Sequence, residues 1–246
     1  MKRKPPLQKN RPTAELLEQN LLLRHLTAQD RDEILRDGEI VHLELRQTIY
    51  DANAEIDRVY FPITCVLSVV AEMHDGGMIE VGTVGYEGVS AIPLILGTTT
   101  SANHSFCQVP GDAILISPQL FAHLTETNPG FRTLLNRYLQ AYINLLGQLA
   151  ACNRLHSIYE RCARWILMTR DRVRSETLPL TQEYLGMMLG SRRSGVAISA
   201  ASLRAAGFIR YAQGVITILD LEGLEEAACE CYALAQAQFG VLRQPP

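Results

Sequence analysis

The sequence lacks a long apolar run, a dense cysteine framework and, through its middle, any lysine or arginine. The longest uncharged helical stretch lies between Arg137 and Arg154. It falls short of the about 20 residues needed to cross a bilayer, and Gln140, Asn144, Gln148 and Asn153 interrupt it. Six cysteines spread over 246 residues do not read as a secreted disulfide scaffold. The basic start, MKRKPPLQKNRP, is followed by no apolar segment, so no secretory signal is expected. The protein is read as cytoplasmic, without a membrane partner. The histidines are dispersed without paired metal-ligand spacing, and neither a Gly-rich phosphate cradle nor a catalytic carboxylate set stands out, so no enzyme is expected. No Lys or Arg occurs between Arg58 and Arg132.

What is present suits a folded protein: 47% hydrophobic and 20% charged residues, in a chain long enough to favour two domains. A net charge of −3 argues at first against nucleic acid, but the charge is uneven. Residues 1–30 carry +3, residues 31–151 carry −8 and residues 152–246 carry +2. Between positions 184 and 219 stand Arg192, Arg193, Arg204 and Arg210, with no Asp or Glu. The acidic half repels DNA; the other half holds a local basic face.

The patterning gives an α+β chain. Residues 1–19 read as a basic tail and lead-in helix, with Leu16, Leu17, Leu21 and Leu22 at helical spacing. Residues 20–127 hold short β-branched runs (Ile40–Leu45, Arg58–Phe61, Val66–Val70) separated by turn signals, which indicates an antiparallel roll or sandwich. Residues 128–152 form one long helix. Leu135, Tyr138, Tyr142, Leu145, Leu149 and Cys152 fall on a heptad seam, read as a homodimer interface. A neighbouring stripe (Phe131, Leu134, Leu139, Ile143, Leu146, Ala150) is read as covering the β-domain; both stripes packing inside one chain is the alternative. Residues 153–246 read as an α-helical domain with a hairpin about Gly214 and a helical tail from Leu221 to Phe239.

Function concentrates in Thr181–Ile209. Thr181 is expected to cap a helix through Leu189, Gly190 to make the turn, and Ser191 to cap a second helix, Arg192 to Ala205. Leu185, Leu189, Val196 and Leu203 are placed to pack the pair. Two such helices form a helix-turn-helix whose second member enters the major groove, with the Gly214 hairpin as a wing. Arg192, Arg193 and Ser194 then face DNA, and arginine matches guanine's two major-groove acceptors. The rival reading is a dimeric small-molecule-binding β-roll protein without DNA binding.

The order of parts resembles the Crp/Fnr superfamily of transcription regulators. The resemblance covers about residues 20–235. It rests on Val59-Tyr60-Phe61-Pro62, Val81–Gly88, Gln108–Gly111, Leu180–Glu183, Leu189-Gly190, Arg192–Val196, Gly207-Phe208-Ile209, Ile216–Asp220 and Cys229–Tyr232. It implies a cyclic-nucleotide-binding-like β-roll, a dimerisation helix and a winged helix-turn-helix. It further implies a near-palindromic double-stranded DNA site, and RNA polymerase as a partner. Arg193 falls where family members contact guanine. Ser194 falls where the family's cyclic-AMP receptor carries a glutamate that reads cytosine, and Ile198 where it carries a second contacting arginine. Thr181 and Gln182 fall where the first helix meets phosphates.

The family's nucleotide pocket needs a Gly-Glu pair for the ribose and an arginine for the phosphate. Glu87 and Gly88 stand near the first feature, but the arginine is missing, so no tight cyclic-AMP binding is expected. Thr99 and Ser101 complete the possible effector pocket, with the effector unknown. No cofactor or metal is expected: Cys65 and Cys107 do not give an N-terminal iron–sulfur group. Cys229 and Cys231 lack a second pair or a nearby histidine for zinc and are read as helix packing. Cys152 is read as an apolar seam residue, with an intersubunit disulfide as the lesser alternative.

Overall fold

The computed structural model describes residues 10–74 and 77–245, apart from the side chains of Gln182 and Glu183. Most of the basic tail, residues 1–9, lies outside the described residues. Helices α1 (Ala14–Leu17) and α2 (Ala28–Asp37) lead into β1 (Glu39–Leu43), β2 (Thr48–Tyr50), β3 (Val59–Pro62), β4 (Val66–Glu72) and β5 (Met78–Val84). A short α3 (Ile92–Ile95) precedes β6 (His104–Val109) and β7 (Gly111–Ile116), and α4 (Pro118–Thr127) and α5 (Pro129–Leu155) follow. The C-terminal part runs α6 (Ile158–Val173), β8 (Thr177–Pro179), α7 (Gln182–Met188), α8 (Arg193–Ala205), β9 (Ile209–Ala212), β10 (Val215–Ile218), α9 (Leu221–Ala227) and α10 (Cys231–Gly240). No helix among the described residues is long and apolar enough to cross a membrane.

The N-terminal strands form two antiparallel sheets, ordered β1-β7-β3 and β2-β6-β4-β5. This is the roll expected from the short β-branched runs. Its interior holds Phe61, Leu67, Val70, Ile114 and Ile116, and α4 adds Phe121 and Leu124 to the same core. The helix starts follow ordinary capping chemistry. The Asn128 side chain accepts from the Phe131 amide with Pro129 in the first turn of α5, and Ser157 and Glu160 cap α6 reciprocally.

The heptad seam of α5 is not free to meet a second chain. Leu135, Tyr138, Tyr142, Leu145 and Cys152 are buried within this chain and Leu149 is partly buried. Glycines in the roll make room for the two tyrosines. A Cβ at Gly82 would lie 2.2 Å from Tyr142 Oη, and one at Gly88 would lie 2.4 Å from Tyr138 Oη. Tyr138 Oη donates to the Val89 carbonyl at 3.3 Å. Helix α10 covers the rest: Phe239 lies 6.4 Å from Tyr138, ring to ring, and Asn144 Nδ2 donates to Gln238 Oε1. Heptad spacing places residues on one helix face; it does not say which layer covers that face. The neighbouring stripe is the open one towards the C-terminal half. Ile143 is 52% exposed, Gly147 and Ala150 are exposed, and Leu139 and Leu146 are half-buried.

The tail is also not one helix. It breaks at Ala228-Cys229-Glu230 between α9 and α10, where Ala228 turns extended and its amide donates to Glu225.

Candidate nucleic-acid interface and its coupling to the roll

Thr181 starts the helical pair: its hydroxyl accepts from the Tyr184 amide at 3.2 Å. α7 ends at Met188 with Leu189 as its C-cap, and Gly190 adopts φ +57°, a left-handed turn that suits glycine. The Ser191 amide then donates back to the Gly186 carbonyl at 3.0 Å. Ser191 does not cap the second helix. Arg192 occupies the N-cap position without a side-chain bond, and α8 begins one residue later than expected. Leu185, Leu189, Val196 and Leu203 are buried and pack the pair.

The outer face of α8 carries the expected residues. Arg192, Arg193, Ser194 and Arg204 are exposed and Ile198 is 68% exposed, while Ser199, Ala200 and Leu203 turn inward; Arg210, also exposed, lies in β9. Arg193 and Ser194 stand in the first turn, where unpaired amides add positive potential. Thr181 is exposed, and the side chain of Gln182 lies outside the described residues. The hairpin β9–β10 turns through Gln213 (φ 52°) and Gly214 (φ 75°), as a tight two-residue loop requires. β8 pairs with β10 to make a third sheet, ordered β8-β10-β9. That strand was not expected; Thr177-Leu178-Pro179 is too short to show alternation, and its proline fits only an edge.

Residues 160–227 match the family model described as a Crp-like helix-turn-helix domain. No curated protein matches the chain. Among solved structures, a protein assigned to the Crp/Fnr family from Eubacterium rectale superposes with a TM-score of 0.65 at 16% identity, covering 84% of this chain and 96% of that one. A Crp-family transcriptional regulator from Thermus thermophilus gives 0.64 at 19%, covering 76% and 96%. The c-di-GMP responsive global regulator CLP of Xanthomonas campestris gives 0.63 at 14%, covering 78% and 99%. The chain carries a Crp-like helix-turn-helix domain on a Crp/Fnr fold.

The Crp-like domain is seated on the roll. Gly190 abuts Ile79 of β5, where an added Cβ would come within 2.4 Å. Ser68 Oγ contacts Met188 Sδ at 3.4 Å, and Tyr184 meets Phe106 edge-on at 6.1 Å. Glu80 of β5 joins the two parts: Oε1 accepts from Trp165 Nε1 at 2.8 Å and Oε2 from Ser68 Oγ at 2.7 Å. Burial raises the Glu80 carboxyl to about 7. The folded protein therefore holds this proton at pH values where the unfolded chain has released it. Glu80's contribution to stability falls as pH rises from about 4.5 to about 7. Glu80→Gln is expected to remove that fall, so urea unfolding of variant and wild type should diverge with rising pH in the variant's favour. Parallel pH profiles would refute the buried, protonated carboxyl.

The residues of the expected effector pocket do not come together. Glu87 is buried, and its Oε1 accepts from Arg172 Nε of α6 at 2.8 Å and from the Gly85 amide at 3.2 Å. Gly88 is filled by Tyr138. Thr99 is exposed and its carbonyl accepts from Ile56, while the Ser101 hydroxyl donates to Asn103 O at 2.8 Å. A cleft of ≈ 540 Å³ does open between Tyr86, Glu87, α6 and α10. Three of its four lining arginines are engaged: Arg172 with Glu87, Arg170 with Glu176 and Asp171, and Arg174 stacked on Tyr86 at 3.9 Å; Arg243 is the fourth.

The cysteines differ most from expectation. Cys229 and Cys231 do not stand alone: Cys152 and His156 lie beside them in the fold. Cys152 faces Cys229 of its own chain at 3.5 Å, which removes the ground for an intersubunit disulfide.

Proposed function

We propose that the protein is a homodimeric, sequence-specific DNA-binding transcription regulator whose helix α8 enters the major groove. The observation that carries this is the exposed Arg192-Arg193-Ser194 group at the start of α8, in a Crp-like helix-turn-helix domain with a wing. Arg193 is the guanine reader. Ser194 and Ile198 stand at the other base-reading positions, so the target departs from the family's usual half-site. Thr181, Gln182 and Ser191 approach backbone phosphates, which position the domain without reading sequence. Two copies on a two-fold axis place their recognition helices about 34–36 Å apart, one turn of DNA, on a near-palindrome. RNA polymerase is the further partner that the family resemblance adds. The roll of residues 20–127 does not take cyclic AMP: its one candidate ribose ligand, Glu87, is committed to Arg172, and no Lys or Arg lies between Arg58 and Arg132.

Selection of bound sequences from random duplexes, followed by fluorescence anisotropy over a salt series, tests the reading. A near-palindromic motif whose affinity falls steeply with salt is expected. Absence of any salt-dependent affinity would return the protein to the small-molecule-binding alternative.

The dimer uses the open stripe of α5 rather than the buried seam. Ile143 supplies the apolar contact, and Gly147 and Ala150 let a second helix approach closely; nothing lies within 4 Å of a Cβ built at Gly147. Ile143→Asp is expected to give monomers by sedimentation while leaving the fold unchanged. A dimer that survives Ile143→Asp would place the interface elsewhere.

A further inference from the structure

Away from the DNA-facing surface, four metal-ligating side chains converge where α5 ends. Cys152 lies in the last turn of α5, and His156 follows the helix directly. Cys229 and Cys231 flank Glu230 at the break between α9 and α10. Three sulfurs and one imidazole nitrogen lie within 4.8 Å of one another. Cys152 Sγ is 3.5 Å from Cys229 Sγ, and Cys231 Sγ is 3.5 Å from His156 Nδ1. The three cysteines form a small buried cluster of their own, separate from the main core.

We propose that Cys152, Cys229, Cys231 and His156 Nδ1 bind one zinc ion, which staples the C-terminal helix to the end of α5.

Size and donor set both fit. Zinc–sulfur bonds of about 2.3 Å in a tetrahedron hold neighbouring sulfurs about 3.8 Å apart. The separations here, 3.5 Å for the closest pairs and within 4.8 Å for all, bracket that value. Three thiolates and one imidazole form a closed structural zinc set, and soft sulfur donors disfavour magnesium, calcium and manganese. A two-iron cluster must place ligand pairs on opposite sides of an Fe2S2 core, which needs a wider cage than this one.

The surroundings support the same ion. His156 Nε2 lies 3.2 Å from the Glu230 carboxylate, the carboxylate–histidine arrangement that fixes the other nitrogen towards a metal. Gln148 Nε2 donates to Cys231 Sγ at 3.0 Å. The guanidiniums of Arg161 and Arg164 are buried nearby, and each leaves its Nε without a hydrogen bond. Filling the site joins two segments distant in sequence, the end of α5 with the joint that follows it and the α9–α10 break.

The test uses the full-length protein, isolated without chelator and without oxygen, and needs no DNA. Metal analysis should find one zinc per chain. Cobalt(II) should give the intense visible bands of a tetrahedral thiolate site, displaced by zinc. His156→Gln and Cys231→Ser should weaken zinc binding by more than about 100-fold, beyond what loss of a surrounding partner gives, and Glu230→Gln by about 10-fold. His156→Cys should restore binding. Chelation should make the segment after Ala228 sensitive to protease. Far-ultraviolet circular dichroism of His156→Gln, a half-buried position, checks that the fold is kept. Substoichiometric zinc after reconstitution, an octahedral cobalt spectrum, unchanged affinity in the variants, or iron with acid-labile sulfide would each overturn the proposal. A Cys152–Cys229 disulfide in protein that takes no zinc after reduction would do the same.

Discussion

Glu87→Ala lowers the stability of the folded chain by about 3–5 kcal/mol, because it strands a buried guanidinium. The side chains of Arg172 and Glu87 are only 7% and 6% exposed. Arg172 has one further anchor, the Met168 carbonyl at 3.0 Å, and lies over the Phe239 ring. Neither replaces the lost carboxylate. Removing the pair together, as Glu87→Gln with Arg172→Met, costs less than either single loss predicts, since no charge is left unpaired. Urea unfolding of Glu87→Gln, Arg172→Met and their double variant supplies the cycle. Single variants within about 0.5 kcal/mol of wild type, the usual range of surface changes, would show that the pair is solvated rather than buried. The pair also ties the roll to α6. Losing it should therefore weaken the coupling between the Crp-like domain and the roll before it weakens either part.

Arg193→Ala is expected to reduce affinity for the selected DNA site about 10- to 100-fold, the effect of losing a bidentate guanine contact of about 1–3 kcal/mol. Specificity at one base pair per half-site should relax with it. Arg193 is exposed at the start of α8, so the fold and its thermal unfolding should not change. Arg204→Ala, near the far end of the same helix, serves as the comparison. It should lower affinity uniformly across sequences and reduce the salt slope by about one, as a phosphate contact does. Equal losses on specific and random DNA for Arg193→Ala would assign it to the phosphates and leave base reading to other residues.

The roll and the helix-turn-helix were legible in the sequence because their signals are local. β-branched runs between turn residues, Thr181 before a helix, and Gly190 between two helices each act within a few positions. Even there the start of α8 moved by one residue: the Ser191 amide closes the turn on Gly186, and Arg192 takes the N-cap position. The buried face of α5 was not legible. Its heptad is real, but the partner comes from glycines 82 and 88 and from Phe239, whose positions only the tertiary fold sets. The cysteine cluster was hidden for the same reason: Cys152 and Cys229 are 77 residues apart. Spacing rules for zinc detect ligands in close sequence pairs; Cys152 with His156 and Cys229 with Cys231 are two such pairs, and only the fold brings them to one place. Glu87 was singled out as a ligand for an effector, whereas its partner, Arg172, arrives from another domain.

The contact between Gly190 and Ile79 has a thermodynamic consequence. Gly190 lies in the turn that sets the angle between α7 and α8, and Ile79 lies in β5 of the roll. One short turn thus answers to two surfaces. By reciprocity, a ligand of the roll that favours one setting of that turn changes DNA affinity only as far as DNA distinguishes the same settings, and DNA then changes that ligand's affinity by the same factor. Such a coupling between the roll and the helix-turn-helix would not have to pass through the long helix.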